Sequence, residues 1–329
     1  MNSLGNAYVT GSTASDDFPV ANPLQATTRD DSLDAFVTKL TPTGSSLIYS
    51  TYLGGSNTDE SSSIAIDSFG NVYVTGWTWS ANFPVANSFQ PVFASGVSFK
   101  SANGGNSWTP ISNGLPKAYE VTTLAIDPQN PSTIYAGSNF STGIFKSING
   151  GSRWNAINTG LPADASIQAL AIDPQNPSTI YAGTESVFKS ANGGDSWSAA
   201  NIGLTTKGIL ALVIDPRTTS TLYAGTGSGL FKSINGGSSW SILNTSFVRS
   251  QALAIDPTIT STLYVGTGTG GVFKSTNGGS SWISINTSLP TFPLPSVNAI
   301  AIDPINPSTL YLATHIGVFK STNGGNGGV

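Results

Sequence analysis

Cysteine is absent from the 329-residue chain, which excludes disulfide staples and thiolate metal sites. Histidine occurs once, as His315, and methionine once, as Met1. A single imidazole gives little support to a Ser/His/Asp triad or a histidine-rich metal centre. Charge is also scarce: 9% of residues are Asp, Glu, Lys or Arg, with a formal net charge of -4. Such a chain has no basic footprint for a phosphate backbone, so nucleic acid is not an expected partner. The apolar runs are only a few residues long, far short of the roughly 20 that cross a bilayer, and membrane insertion is not expected. No charged and then apolar leader precedes "GNAYVTG" from Gly5. The expectation is therefore a removed signal peptide, or a chain cut from a longer precursor.

Repetition fills the space those absences leave. "AIDPQNPSTIYAG" stands at residues 125–137 and again at 171–183, with looser copies from Val213, Ala254 and Ala301. After each copy come an aromatic strand and a phrase of the form "KSINGGSSW", written at 232–240 and in related form from Lys100, Lys146, Lys189, Lys274 and Lys320. The phrase tryptophans Trp108, Trp154, Trp197, Trp240 and Trp282 are 46, 43, 43 and 42 residues apart. A unit of this length, with four short apolar runs parted by Gly, Pro and Asn turns and no 3.6-residue period, predicts a four-stranded propeller blade. In one unit the strands are "QALAID" from Gln168, "TIYAGT" from Thr179, "SVFKS" from Ser186 and "SWSAA" from Ser196. The Asn-Gly-Gly turn joins the third and fourth, with Asn and Gly both expected to tolerate positive φ. The repeated Asp67, Asp127, Asp173, Asp215, Asp256 and Asp303 stand beside a turn, where a carboxylate accepts backbone N–H bonds. The repeated lysines are expected on blade surfaces, stems packed and heads wet.

The phrase resembles the Asp-box, or BNR, repeat S-x-D-x-G-x-T-W, with Asn103, Asn149, Asn192, Asn235, Asn277 and Asn323 in place of the Asp. The resemblance implies a β-propeller, as in sialidases, xyloglucanases, sortilin-type receptors and photosystem II assembly factors. It also implies that these residues are structural turns, since the box lies away from the catalytic centre. The stretches "DAFVTKLTPTGSSLIYSTYLGG" from Asp34, "SIAIDSFGNVYVTGWTWSANFPVAN" from Ser63 and "GNAYVTGSTASDDFPVAN" from Gly5 are similar to the bacterial SBBP β-propeller repeat. The expected fold is thus an all-β propeller of seven antiparallel blades. Residues 1–329 form one domain, SBBP-like over 1–95 and Asp-box-like over 96–329. The second blade is a hybrid, and the first and last are incomplete, with three strands or with an edge completed by neighbouring domains or chains.

Turns between the first and second and the third and fourth strands repeat nearly unchanged, whereas the opposite loops vary, so a specific site is expected on the variable face. A sialidase would need three arginines there. Of the four in the chain, Arg153 and Arg217 fall in repeated turns, leaving Arg29 and Arg249. A glycosidase needs two carboxylates, for which Glu120, Asp164 and Glu185 are the candidates, with Asp59 and Glu60 elsewhere on that face. Asp30, Asp31 and Asp34 are weak candidates for calcium, lacking EF-hand spacing. Trp77 and Trp79 are two apart and, in strand geometry, point the same way, as an aromatic platform for a sugar or a protein partner would. Tyr119, Arg249 and His315 are the other ligand-binding candidates. Phe18 and Phe83 of the repeated "FPVAN" read as core, and Phe89 lies nearby. No cofactor is called for. The reading is a noncatalytic binding or structural module, extracellular, on the surface or periplasmic in a bacterium, with a glycan or protein ligand. Its alternatives are a glycoside hydrolase and an assembly factor resembling the photosystem II group.

Overall fold

The computed structural model describes residues 4–28, 32–83, 96–103, 105, 107–116, 121–139, 141–290 and 293–326. Two compact units divide the chain: Asn2–Asn158 with Pro162–Ile167, and Thr159–Leu161 with Gln168–Val329.

The first unit holds three sheets. They are β1 (Tyr8–Thr13), β2 (Asp34–Leu40) and β3 (Leu47–Leu53); β4 (Asp59–Ile66), β5 (Val72–Thr78), β6 (Gly96–Ser101) and β7 (Thr109–Pro110); and β8 (Val121–Ile126), β9 (Ile134–Ser138), β10 (Gly143–Ser147) and β11 (Asn155–Ala156). The second unit holds four. They are β12 (Ala169–Ile172), β13 (Ile180–Gly183), β14 (Val187–Ser190) and β15 (Ser198–Ala199); β16 (Ile209–Ile214), β17 (Leu222–Thr226), β18 (Gly229–Ser233) and β19 (Ser241–Asn244); β20 (Ser250–Ile255), β21 (Leu263–Thr267), β22 (Val272–Ser275) and β23 (Ile283–Ser284); and β24 (Val297–Ile302), β25 (Leu310–Thr314) and β26 (Gly317–Ser321). Each sheet is an antiparallel meander in chain order, so the architecture is the all-β, seven-bladed propeller, with three strands in the first and last blades. One sheet joins β4 and β5, whose sequence resembles the SBBP repeat, to β6 and β7, which flank the phrase that starts at Lys100.

Second strands such as β9, β13 and β17 are buried at every position, which is why they read as continuous small and apolar runs. The fourth strand is shorter than expected and starts after the tryptophan. Trp240 gives its backbone N–H to the carbonyl of Ile202 in the preceding blade, at 2.8 Å, and Trp154 does the same to Asn113 at 2.9 Å. These two tryptophans therefore belong in hydrogen bonding to the blade before their own. Either buried ring contributes roughly 4 to 6 kcal/mol as an upper bound.

The Asn-Gly-Gly turn is built differently from the expectation. Positive φ falls on both glycines, at 65° and 82° for Gly236 and Gly237, and on none of the six asparagines. Glycine has no Cβ to clash there, so asparagine is left for another task. The Asn235 side-chain oxygen accepts the N–H of Ser239 at 2.9 Å, while its amide donates to the Ser239 hydroxyl at 2.8 Å. The Ser233 hydroxyl accepts the N–H of Gly237 at 3.0 Å. The same serine–glycine bond recurs at Gly105, Gly151, Gly194, Gly279 and Gly325.

The lysine heads also differ from the expectation. Lys232 lies over the ring of Tyr223, 5.3 Å from its centroid, and donates to the carbonyl of Gly278 in the next blade's turn at 3.1 Å. Lys189 with Tyr181 and Lys274 with Tyr264 repeat this at Gly236 and Gly324. The ammonium leaves bulk water for a π face and a carbonyl dipole. For Lys274 burial is deep enough to push its pKa below the usual lysine value. The repeated aspartates sit as expected: Asp173 accepts the N–H groups of Gln175 and Asn176 at 2.9 and 3.1 Å, and Asp256 those of Thr258 and Ile259 at 2.8 and 2.9 Å.

Candidate functional site

The candidate site is built where β5 leaves its sheet. Trp77 is the next-to-last residue of β5, directly across from Glu60 on β4, so the two side chains share one face of the sheet. Two residues further on, the alternation of an extended chain returns Trp79 to the side of Trp77. The rings meet edge to face, with centroids 6.2 Å apart and planes at 81°. Trp77 is half-buried and Trp79 is 66% exposed. This leaves one large aromatic surface open to solvent, braced from the side by another.

The loop that carries Trp79 is held by a buried carboxylate. Asp59, 0% exposed, accepts from the Thr78 hydroxyl, from the Ser80 hydroxyl at 2.7 Å and from the N–H of Gly55 at 2.7 Å. The Ser80 hydroxyl in turn accepts the N–H of Asn57 at 2.9 Å, Asn82 accepts the N–H of Ser56 at 2.8 Å, and Trp79 donates its backbone N–H to Thr58 at 2.9 Å. Two loops, 54–58 and 78–82, are thereby locked side by side. Glycine is required at their junction, because a Cβ on Gly55 would overlap Ser80 and one on Gly54 would overlap Asp34. In the sequence Asp59 looks like one more loop acid. Its role is set by Thr78 and Ser80, some twenty residues away, and the run W-T-W-S of alternating aromatic and hydroxyl residues from Trp77 was the available signal.

The other candidates are dispersed. Asp34 begins β2 fully buried and accepts from the Gln25 amide at 3.2 Å, while Asp30, Asp31 and Arg29 lie outside the described residues. Among the described residues no three acidic or histidine side chains gather as a metal centre would require. Asp164, in the first unit, lies between β11 and β12, and Glu185, in the second, lies between β13 and β14; both are exposed. Glu120, Tyr119 and Phe89 lie outside the described residues. Arg249 and His315 are exposed on variable loops of the second unit, before β20 and after β25. Phe83 stacks on Phe99 at 4.7 Å and Phe18 packs tilted against Phe36 at 4.6 Å, which places both in packed aromatic pairs.

With this geometry in view, the family model of the SBBP β-propeller repeat matches residues 48–84, the stretch that contains Asp59, Trp77 and Trp79. No curated protein matches the chain in sequence. Among solved structures, a GH74 enzyme of Niastella koreensis superposes with a TM-score of 0.66 at 19% identity, covering 88% of this chain and 50% of that one. The GH74 xyloglucanase of Xanthomonas campestris gives 0.66 at 16% identity, over 96% and 54%. YCF48 bound to a D1 peptide gives 0.61 at 15%, over 88% and 85%. The chain therefore spans about half the length of the two GH74 proteins and most of YCF48. It is a β-propeller repeat protein sharing the fold of both groups. No helix among the described residues is long and apolar enough to cross a membrane.

Proposed function

We propose that the chain is a noncatalytic binding module of a bacterial cell surface or exterior, and that its ligand is a glycan stacked on Trp79. The supporting observation is the exposed Trp79 ring, braced by Trp77 and fixed by the Asp59 hub. Burying a flat apolar face costs little entropy when the platform is already ordered. The C–H faces of pyranose rings match such a surface, while Glu60 opposite Trp77 and the exposed Asn57 and Asn82 supply hydrogen-bonding groups nearby. A glycan array followed by calorimetric titration tests this reading. Saturable binding to at least one glycan, lost in Trp79→Ala, is expected. An array without hits, or hits unaffected by that change, contradicts it.

A protein ligand is the second reading, favoured by the likeness to YCF48 over most of both chains. In that case the same platform takes an apolar side chain of an extended peptide. A hydrolase or an assembly factor remains the alternative function, and a broad glycosidase screen with Glu185→Gln as its control separates hydrolysis from binding.

A further inference from the structure

A second polar constellation lies on the variable loops of the second unit. The guanidinium Nε of Arg249 donates to the Gln251 side-chain oxygen at 3.4 Å. The Gln251 amide then donates to the Ser296 hydroxyl at 2.7 Å and to the Asn298 side-chain oxygen at 2.9 Å. The backbone N–H of Ser296 donates to His315 Nδ1 at 3.3 Å. One chain of hydrogen bonds thus links Arg249, ahead of β20, to His315, between β25 and β26. Both ends are exposed.

Three features set this network apart from an ordinary solvated surface. Arg249 has φ of 54°, one of three described non-glycine residues with positive φ, a conformation that costs free energy and persists where the surroundings impose it. Its backbone is pinned on both sides, with its N–H to Gly227 at 2.9 Å and its carbonyl to Gly268 at 3.0 Å. Its side chain passes over Gly268, where an added Cβ would lie 3.0 Å from the Arg249 Cβ. Second, the ties to Gln251 and Ser296 occupy Arg249 Nε and His315 Nδ1 and leave the outward donors uncommitted. With Nδ1 accepting, the neutral imidazole carries its proton on Nε2, and the two terminal Arg nitrogens present a planar fork. Third, every other member, Gln251, Ser296 and Asn298, is neutral, and no described carboxylate forms an ion pair with Arg249. In a chain of net charge -4, this is a cation held in place without its counter-charge.

We infer that Arg249 and His315 form a binding site for a carboxylate group, with Gln251 and Ser296 as positioning residues. The Arg249 fork donates two parallel N–H bonds to the carboxylate oxygens, and the His315 Nε2–H supplies a further donor on the same ligand. Carboxylates of an acidic sugar and of an acidic peptide share this chemistry.

His315 is the only histidine in the sequence, so a histidine-labelled sample gives one imidazole signal in NMR. Titration with glucuronate and with an oligoglutamate peptide should shift that signal saturably for at least one of them, and the better probe identifies the source. Glucose at the same concentration should produce no shift. Arg249→Gly removes the guanidinium while placing at positive φ the residue that tolerates it best, so the variant keeps its melting temperature and binds at least about tenfold more weakly. Arg249→Lys, a cation without the fork, should be intermediate. Absence of a saturable shift with both probes overturns the inference, as does equal affinity of wild type and Arg249→Gly.

Discussion

The indole N–H of Trp240 donates to the backbone carbonyl of Ala200 across 2.8 Å, joining one blade to the blade before it. Trp154 repeats the bond to Ile111 at 2.5 Å. Both acceptors stand three residues after the preceding phrase tryptophan, so in these two cases one repeat supplies the seat for the next. Trp240→Phe keeps most of the packed ring and deletes the donor, leaving the Ala200 carbonyl unpaired. A loss of about 1 to 3 kcal/mol is expected, measured by denaturant unfolding. Trp240→Ala, which also empties the seat, should cost about 3 to 5 kcal/mol.

Asn235→Ala deletes the acceptor for the Ser239 N–H and the donor to its hydroxyl. By analogy with other side-chain caps the cost is about 0.5 to 2 kcal/mol. Thermal melting should register it while ligand titrations remain unchanged.

Burial raises the pKa of Tyr181, Tyr223 and Tyr264 from 10.0 to about 12, with Asp173, Asp215 and Asp256 respectively adding to the rise. The folded state therefore keeps these protons after the unfolded state has lost them. The stability they confer is complete below pH 10 and is lost as pH climbs towards 12. Unfolding monitored across that window should show a steep alkaline decline, shallower in Tyr223→Phe. A flat profile would contradict the assignment.

Asp59→Asn replaces an acceptor-only group, facing three donors, by one that must turn a donor towards some of them. It should cost about 1 to 3 kcal/mol and weaken binding at the platform, because the 54–58 and 78–82 loops lose their common anchor. Calorimetric melting and titration of the same variant check both effects.

Much of the fold was legible in the sequence because a propeller states its local rules repeatedly. The Asp-Pro turns, the all-apolar second strands and the Asn-Gly-Gly phrase each follow from backbone chemistry that acts within a few residues. Trp77 and Trp79 were legible for the same reason, since alternation along an extended chain needs no distant partner. Asp59 was not, because its donors Thr78 and Ser80 arrive through strand pairing. Nor was the placing of the lysine heads: a Lys232 ammonium on the Gly278 carbonyl is a contact between neighbouring blades. Only the positive φ of the turn was misplaced, because Asn and Gly both suit it in isolation: it falls on the two adjacent glycines, and asparagine contributes the side-chain bonds. The Arg249 to His315 chain depends on Gln251 and Ser296 meeting across two blades.

The central claim is that Trp79 is a ligand platform and not a packing residue. Its most direct test is a paired measurement on Trp79→Ala: titration with the best glycan from the array, and melting of the same sample. The account predicts affinity lower by about thirtyfold, or roughly 2 kcal/mol, with the melting temperature within a degree or two of wild type. Undiminished affinity together with a stability loss of about 3 kcal/mol or more would contradict it.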